Sequence, residues 1–332
     1  MDPIRVQTEI FNQIKTNLPP HLALVDAIAE CLDIGNDSAY RRIRGEKPVS
    51  LEELAKLAER FEFSIDRFLG LRGESYIFNG KLANAHDHVF DQWLETSLKN
   101  FQYMEQRPFA HIYYMAKDLP LAHFFQNPEL ASFKYFFWQK SVLQYHELRG
   151  TKFKMGLMSD YGKSMAEKIV ASYTKIHSSE IWALETINSV LRQIEYYYEA
   201  GIFENREDPG HLCDSFEQLV NHLEKQAEEG IKFAFGKAPM KGNGNYFLYN
   251  NELIVGNNNV LADLGEVKIT YLNHTSINYI STIDRVFNDY SLTATLNMIN
   301  KSEPLHTHNE KRRQIFFNAL RAKIEITRNK TR

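Results

Sequence analysis

Apolar side chains recur every three or four positions through the first seventy residues, and turn formers break the recurrence at short intervals. In TEIFNQIKTNL, Ile10, Ile14 and Leu18 fall one helical turn apart, and Pro19-Pro20 stops the run. LALVDAIAECL repeats the pattern with Leu24, Ile28 and Leu32, flanked by Ala27 and Cys31. Asp33 to Asp37 turns the chain. A third helix is expected from Asp37 or Ser38, either of which can cap free backbone N–H groups, through Tyr40 and Ile43 to Gly45, with Pro48 barring its continuation. Ser50-Leu51-Glu52-Glu53 is a capping box that opens a fourth helix, with Leu51, Leu54, Leu57, Ala58 and Phe61 facing inward. Ser64 is placed to cap a fifth, carrying Phe68 and Leu69.

Gly70, Gly73 and Gly80 mark a joint, after which aromatics become dense. Helical spacing of Val89, Phe90, Trp93, Leu94, Leu98, Phe101 and Met104 predicts a long amphipathic helix over 83–105. FAHIYYMA (109–116) is short and rich in β-formers and predicts a strand. Pro128 is expected to begin the helix of the FKYFFWQK cluster. Two further long helices are predicted over 178–201 and 210–230. From 243 to 283 the pattern becomes β. Asn250-Asn251 splits two apolar runs as a hairpin turn would, and two more β-prone runs flank Asn273-His274. Helices return near 284–300 and 307–326. The fold class expected is mainly α with a smaller β component. A five-helix N-terminal domain (1–72) and a linker (73–82) precede a larger α+β domain (83–332), in which one antiparallel sheet is packed by long helices.

Composition narrows this picture. Hydrophobic content of 43% with 24% charged residues is ordinary for a soluble globular chain. No apolar run of about 18 residues is present, and the N-terminus lacks a leader's apolar stretch, so neither a membrane span nor secretion is expected. Cys31 and Cys213 are the only cysteines and read as separate reduced thiols, which fits a cytoplasmic protein. A formal net charge of -3 excludes a binder that works by bulk positive charge; nucleic-acid binding would need a local patch.

One such patch exists. DIGNDSAYRRIRGEK (33–47) places Arg41, Arg42 and Arg44 within four positions on a short helix after a turn. A helix-turn-helix unit needs a small residue where its helices cross, a tight turn, and apolar anchors. Its second helix must also begin with exposed groups able to bond bases and phosphates. Ala29 supplies the first, Asp33-Ile34-Gly35 the second, and Ile34, Ala39 and Ile43 the third. The stretch IAECLDIGNDSAYRRIRGEKPVSLEELAKLAERFEFSIDRFLG resembles the Cro/CI-type (XRE-like) helix-turn-helix regulators, including the Tyr-Arg pair and the terminal Arg-Gly; Gly35 stands where many relatives carry serine. The resemblance covers about one fifth of the chain. It implies sequence-specific binding to double-stranded DNA, usually as a homodimer on a two-fold site.

Side-chain chemistry then suggests roles. Arg41 can donate twice to guanine, Asn36 can pair with adenine, and Asp37 can cap the helix or accept from cytosine. Ser38 can bond bases or phosphates, while Tyr40, Arg44 and Lys47 suit phosphates. Arg42 joins the candidate set, with pairing to an acid as its alternative.

Other constellations are weaker. His306-Thr307-His308 and His86-Asp87-His88 read as solvated or capping residues rather than metal ligands, and GKAPMKGNGN (236–245) reads as a loop without phosphate-loop order. The aromatic belt at 133–138 and the tyrosines at 196–198 read chiefly as core, with a small-molecule pocket as the alternative. Lys311, Arg312 and Arg313 form a basic stripe read as a solvated face. No catalytic arrangement, cofactor motif or metal set stands out. The sequence therefore reads as a non-enzymatic transcriptional regulator whose larger domain dimerises and senses a small-molecule or protein effector. The alternatives are an enzyme or a protein-docking adaptor whose small domain only localises it or no longer reads DNA.

Overall fold

A computed structural model describes residues 2–19, 22–65, 68, 76–80, 89–253, 256–275 and 277–332. The chain forms two compact units, Met1–Ile77 and Phe78–Arg332.

The first unit is helical. α1 (Pro3–Asn17) starts earlier than the apolar pattern suggests, because the Asp2 carboxylate accepts from the Ile4 N–H and Pro3 suits the first helical position. α2 (Leu24–Leu32), α3 (Asn36–Ile43) and α4 (Leu51–Arg60) follow. Ile10, Phe11 and Ile14 of α1 bury against Ile28, Leu32, Ala39, Leu57 and Phe63. The capping box at Ser50 and Glu53 is formed as expected. Leu51, however, is 86% exposed and not part of the core, because the first position of α4 lies away from the face that Leu57 buries. Most of the expected fifth helix, the joint at Gly70 and Gly73, and half of the linker lie outside the described residues.

The second unit is built on a seven-stranded sheet. In chain order it contains α5 (Val89–Glu105), β1 (His111–Ala116), α6 (Leu121–Phe124) and α7 (Pro128–Phe137), which passes into a π-helical turn (Trp138–Val142). Then come α8 (Asp160–Tyr173), β2 (His177–Trp182), α9 (Asn188–Glu199), α10 (Asp208–Glu229) and β3 (Tyr246–Asn250). β4 (Asn259–Asp263), β5 (Lys268–Asn273), β6 (Tyr279–Thr282), α11 (Arg285–Asn300), β7 (Glu303–Pro304) and α12 (Glu310–Lys330) complete the chain.

The strand order is β6-β5-β4-β1-β2-β3-β7. The sheet is mixed and not antiparallel: β2 runs parallel to both β1 and β3, with Glu180 registered against Tyr114 and Leu248. Two local expectations fail for this reason. Residues 178–182, expected to open a long helix, belong to the interior strand β2. Strands flank it on either side, and every residue from Ser178 to Trp182 is buried. Nor does β3 pair with the run that follows Asn250-Asn251: its neighbours in the sheet are β2 and β7, and Ile254 and Val255 of that run lie outside the described residues. Asn251, just past β3, donates to the Ser302 hydroxyl at 3.0 Å. The hairpin around Asn273-His274 does form, pairing β5 with β6.

α5 packs on α8, and α10 on α12. Phe133 sits edge-on to Phe153 and Tyr197, with ring centroids 5.4 and 5.6 Å apart, so most of the aromatic belt is core. Cys213 is buried there, its thiol pushed up to about 12 by desolvation. Cys31 is only half-buried in the first unit.

Candidate nucleic-acid interface

The turn between α2 and α3 is set by backbone bonds. Asp33 adopts a left-handed conformation (φ 54°), a strain that aspartate tolerates better than most residues. The Ile34 N–H closes the turn on the Ala29 carbonyl at 3.0 Å. α3 begins at Asn36 with Gly35 as its cap, not at Asp37 or Ser38, because the Gly35 carbonyl already accepts from Ser38 and Ala39. Gly35 brings no capping side chain, so none occupies the amides of the first turn. The fully buried Ala39 presses α3 onto the core.

The candidate residues divide cleanly between two directions. Asn36, Asp37, Tyr40, Arg41, Arg44 and Lys47 are exposed. Positions 36, 37, 40, 41 and 44 share one helix face, by the three-to-four spacing of an α-helix. Asn36 donates from Nδ2 to Asp26 at 3.1 Å, a bond that does not use its carbonyl oxygen. The Arg44 guanidinium lies 5.6 Å from the Tyr40 ring centroid and 3.8 Å from Glu46.

Arg42 turns the other way. It is 4% exposed and donates from Nε to Glu53 at 3.0 Å and from Nη2 to the same carboxylate at 2.5 Å. Its Nη1 donates to the Ser38 hydroxyl and carbonyl at 2.8 and 3.0 Å. Of the two readings given for Arg42, pairing with an acid is the one formed: a guanidinium one position beyond the outward face meets the acid of the α4 capping box. Ser38 is half-buried, and its side chain serves that junction. The pairing with Arg42 holds the Glu53 carboxyl below its ordinary range. Gln7 completes the frame, donating to the carbonyls of Arg42 and Lys47 at 2.7 and 2.9 Å and accepting from the Val49 N–H at 3.0 Å.

The second unit contains a polar node that sequence reasoning missed. Glu180 in β2 is fully buried and accepts from His123 Nε2 at 3.1 and 3.0 Å, from Trp182 Nε1 at 2.9 Å, and from the hydroxyls of Tyr173 and Tyr246. Burial opposes its charge, but His123 and the hydrogen bonds outweigh burial and the carboxyl is held low. Lys232 is buried beside it, its Nζ without a hydrogen-bond partner among the described residues and 3.7 Å from the Tyr173 ring centroid. Burial brings that ammonium down to about 7, with Glu180 opposing.

The remaining sequence motifs are placed as follows. His306 stacks edge-on to Phe247 and Tyr249, each centroid 5.2 Å away, while His308 is exposed. His86-Asp87-His88 lies outside the described residues. Among the described residues no three His, Cys, Asp or Glu side chains converge as metal ligands, and no helix is long and apolar enough to cross a membrane. Of the basic stripe, Arg312 pairs with Glu303 at 2.8 Å, and Arg313 is buried and donates to the Thr307 carbonyl at 2.8 Å.

A helix, a tight turn and a second helix with a cationic outer face define a helix-turn-helix reading head. Residues 18–95 match the BetR domain, a helix-turn-helix-like DNA-binding domain family, so the N-terminal region carries a DNA-binding regulatory domain. No curated protein and no solved structure matches the chain.

Proposed function

We propose that the protein is a one-component transcriptional regulator of Cro/CI (XRE) type, cytoplasmic and dimeric, that reads an operator through α3. Its larger unit carries dimerisation and effector sensing, with no enzymatic step. The observation that supports this reading best is the opposed orientation of neighbouring arginines. Arg42 anchors α3 to α4, and Arg41 points outward with no acid partner among the described residues. Arg41 then donates twice to a guanine edge, and the Asn36 carbonyl accepts from a base. Tyr40, Arg44 and Lys47 bind phosphates and fix register. Paired half-sites lie about 34–36 Å apart, so an effector that rotates one reading head relative to the other mismatches them.

Selection of bound duplexes from a random pool, followed by affinity measurement against salt, tests the reading. A recurring two-fold sequence is expected, with affinity falling about 10³–10⁵-fold between 50 and 200 mM salt for six to ten phosphate contacts. Recovery of no preferred sequence would remove the assignment.

A further inference from the structure

The helix that begins at Pro128 ends irregularly. Its last turn widens into the π-helical stretch Trp138–Val142, and Gln144 follows in a left-handed conformation (φ 54°). Both features cost energy and concentrate at functional sites. Here they open a groove of about 620 Å³ against α9, a volume within the range of small-molecule sites.

The charged side chains lining the groove are all donors: Lys140, Arg149 and Arg192. No aspartate or glutamate lines it. Arg149 and Arg192 are exposed on it and make no ion pair among the described residues. Lys140 spends two of its three N–H donors on the carbonyls of Leu148 and Arg149, at 2.5 and 2.9 Å, and keeps one. Gln193 is oriented from beneath. The buried Lys134 ammonium, packed 4.8 Å from the Trp138 ring centroid, donates to Gln193 Oε1 at 2.8 Å. That bond fixes which end of the amide faces inward and leaves the Gln193 NH₂ available to the groove. Phe137, Tyr196 and Ile202 supply an apolar wall.

The geometry points to a binding site for a small amphipathic organic anion, a phosphate ester or a carboxylate. Arg149, Arg192 and Gln193 hold its charged group, and its apolar part rests on Tyr196 and Ile202. A surface that offers several donors and no acid selects an acceptor-rich partner, and the guanidinium forks suit phosphate or carboxylate oxygens. Naming this ligand class deepens the sensing role proposed above and rests on that reading for its biological meaning, though not for its chemistry.

The test uses the full chain without DNA, so its outcome is separate from that of duplex selection. 1-Naphthyl phosphate, 1-naphthoate, 1-naphthol and inorganic phosphate are titrated by calorimetry. At least one naphthyl anion is expected to bind tenfold or more tightly than both 1-naphthol and inorganic phosphate, and the two anion arms tell phosphate from carboxylate. Arg149→Ala/Arg192→Ala is expected to abolish that preference while leaving the unfolding midpoint unmoved, since both side chains are exposed and unpaired. Equal binding of 1-naphthol, an unchanged preference in the double variant, or no binding by any probe overturns the proposal.

Discussion

Arg42 of α3 and Glu53 of α4 form a two-pronged ion pair, with the arginine side chain 5% and the glutamate side chain 20% exposed. The pair sits directly beneath the outward row of Tyr40, Arg41 and Arg44. It fixes the angle at which that row leaves the core, so one arginine sets the aim of its neighbours.

Arg42→Ala is expected to destabilise the first unit by about 1–3 kcal/mol, because Glu53 and Ser38 lose their donors in a part-buried site. Thermal unfolding measures this. Glu53 also makes the loss pH-dependent. Its carboxyl lies below the ordinary range when folded, so its contribution is complete above the unfolded value of about 4.3 and disappears as pH falls through the folded value. The gap in midpoint between the natural protein and Glu53→Gln should therefore close on acidification; a gap that widened in acid would contradict the pairing.

Arg41→Ala is expected to behave in the opposite manner, leaving the melting curve alone while costing about 1–3 kcal/mol of operator affinity and relaxing preference at one base. Lys47→Ala should weaken all sequences alike and reduce the salt slope by about one. Competition binding on a panel of single-base variants separates the two.

Glu180→Ala is expected to cost about 3–5 kcal/mol, since it strands His123, Tyr173, Trp182 and Tyr246 in the core. Lys232→Met should be neutral or stabilising at pH 7, because the buried ammonium makes no hydrogen bond among the described residues. The folded chain releases this proton near pH 7 and the unfolded chain near 10.4, so the natural protein gains stability relative to Lys232→Met as pH rises between those values. Calorimetric scans at pH 7 and pH 9.5 check the sign.

Gly244 lies against the entry to β2, where an added Cβ would come within 2.3 Å of the Ile176 carbonyl oxygen. Its own carbonyl accepts from the Lys232 N–H at 2.9 Å. Gly244→Ala should destabilise the second unit by about 1–3 kcal/mol through backbone displacement, visible as a lowered denaturant midpoint.

Apart from the early start of α1, the first four helices were legible because a cap and prolines punctuate them locally: Ser50, Pro19 and Pro48 act on their immediate neighbours. β2 was not, because a strand flanked on both sides and buried on both faces loses the alternation that betrays a half-exposed one. Reading SSEIW as the start of a helix followed from that, and it hid Glu180 together with its four donors, which come from three other elements and from β2 itself. Asn250-Asn251 misled for a related reason: hairpin chemistry is local, whereas the partner of β3 is chosen by the parallel neighbour beside it. Arg42 carried the same charge as Arg41 and Arg44. Only the position of Glu53, eleven residues on in another helix, separates it from them.

Both borders of the sheet are finished by very short segments. β7 contributes just Glu303 and Pro304 alongside β3, and on the far side Asn79 exchanges two backbone bonds of 2.7 Å with Ser281 of β6. Proline offers no amide to a newcomer, and a single residue is too brief a template for another chain. Among the described residues, then, neither margin offers a second copy a long row of free backbone groups to extend.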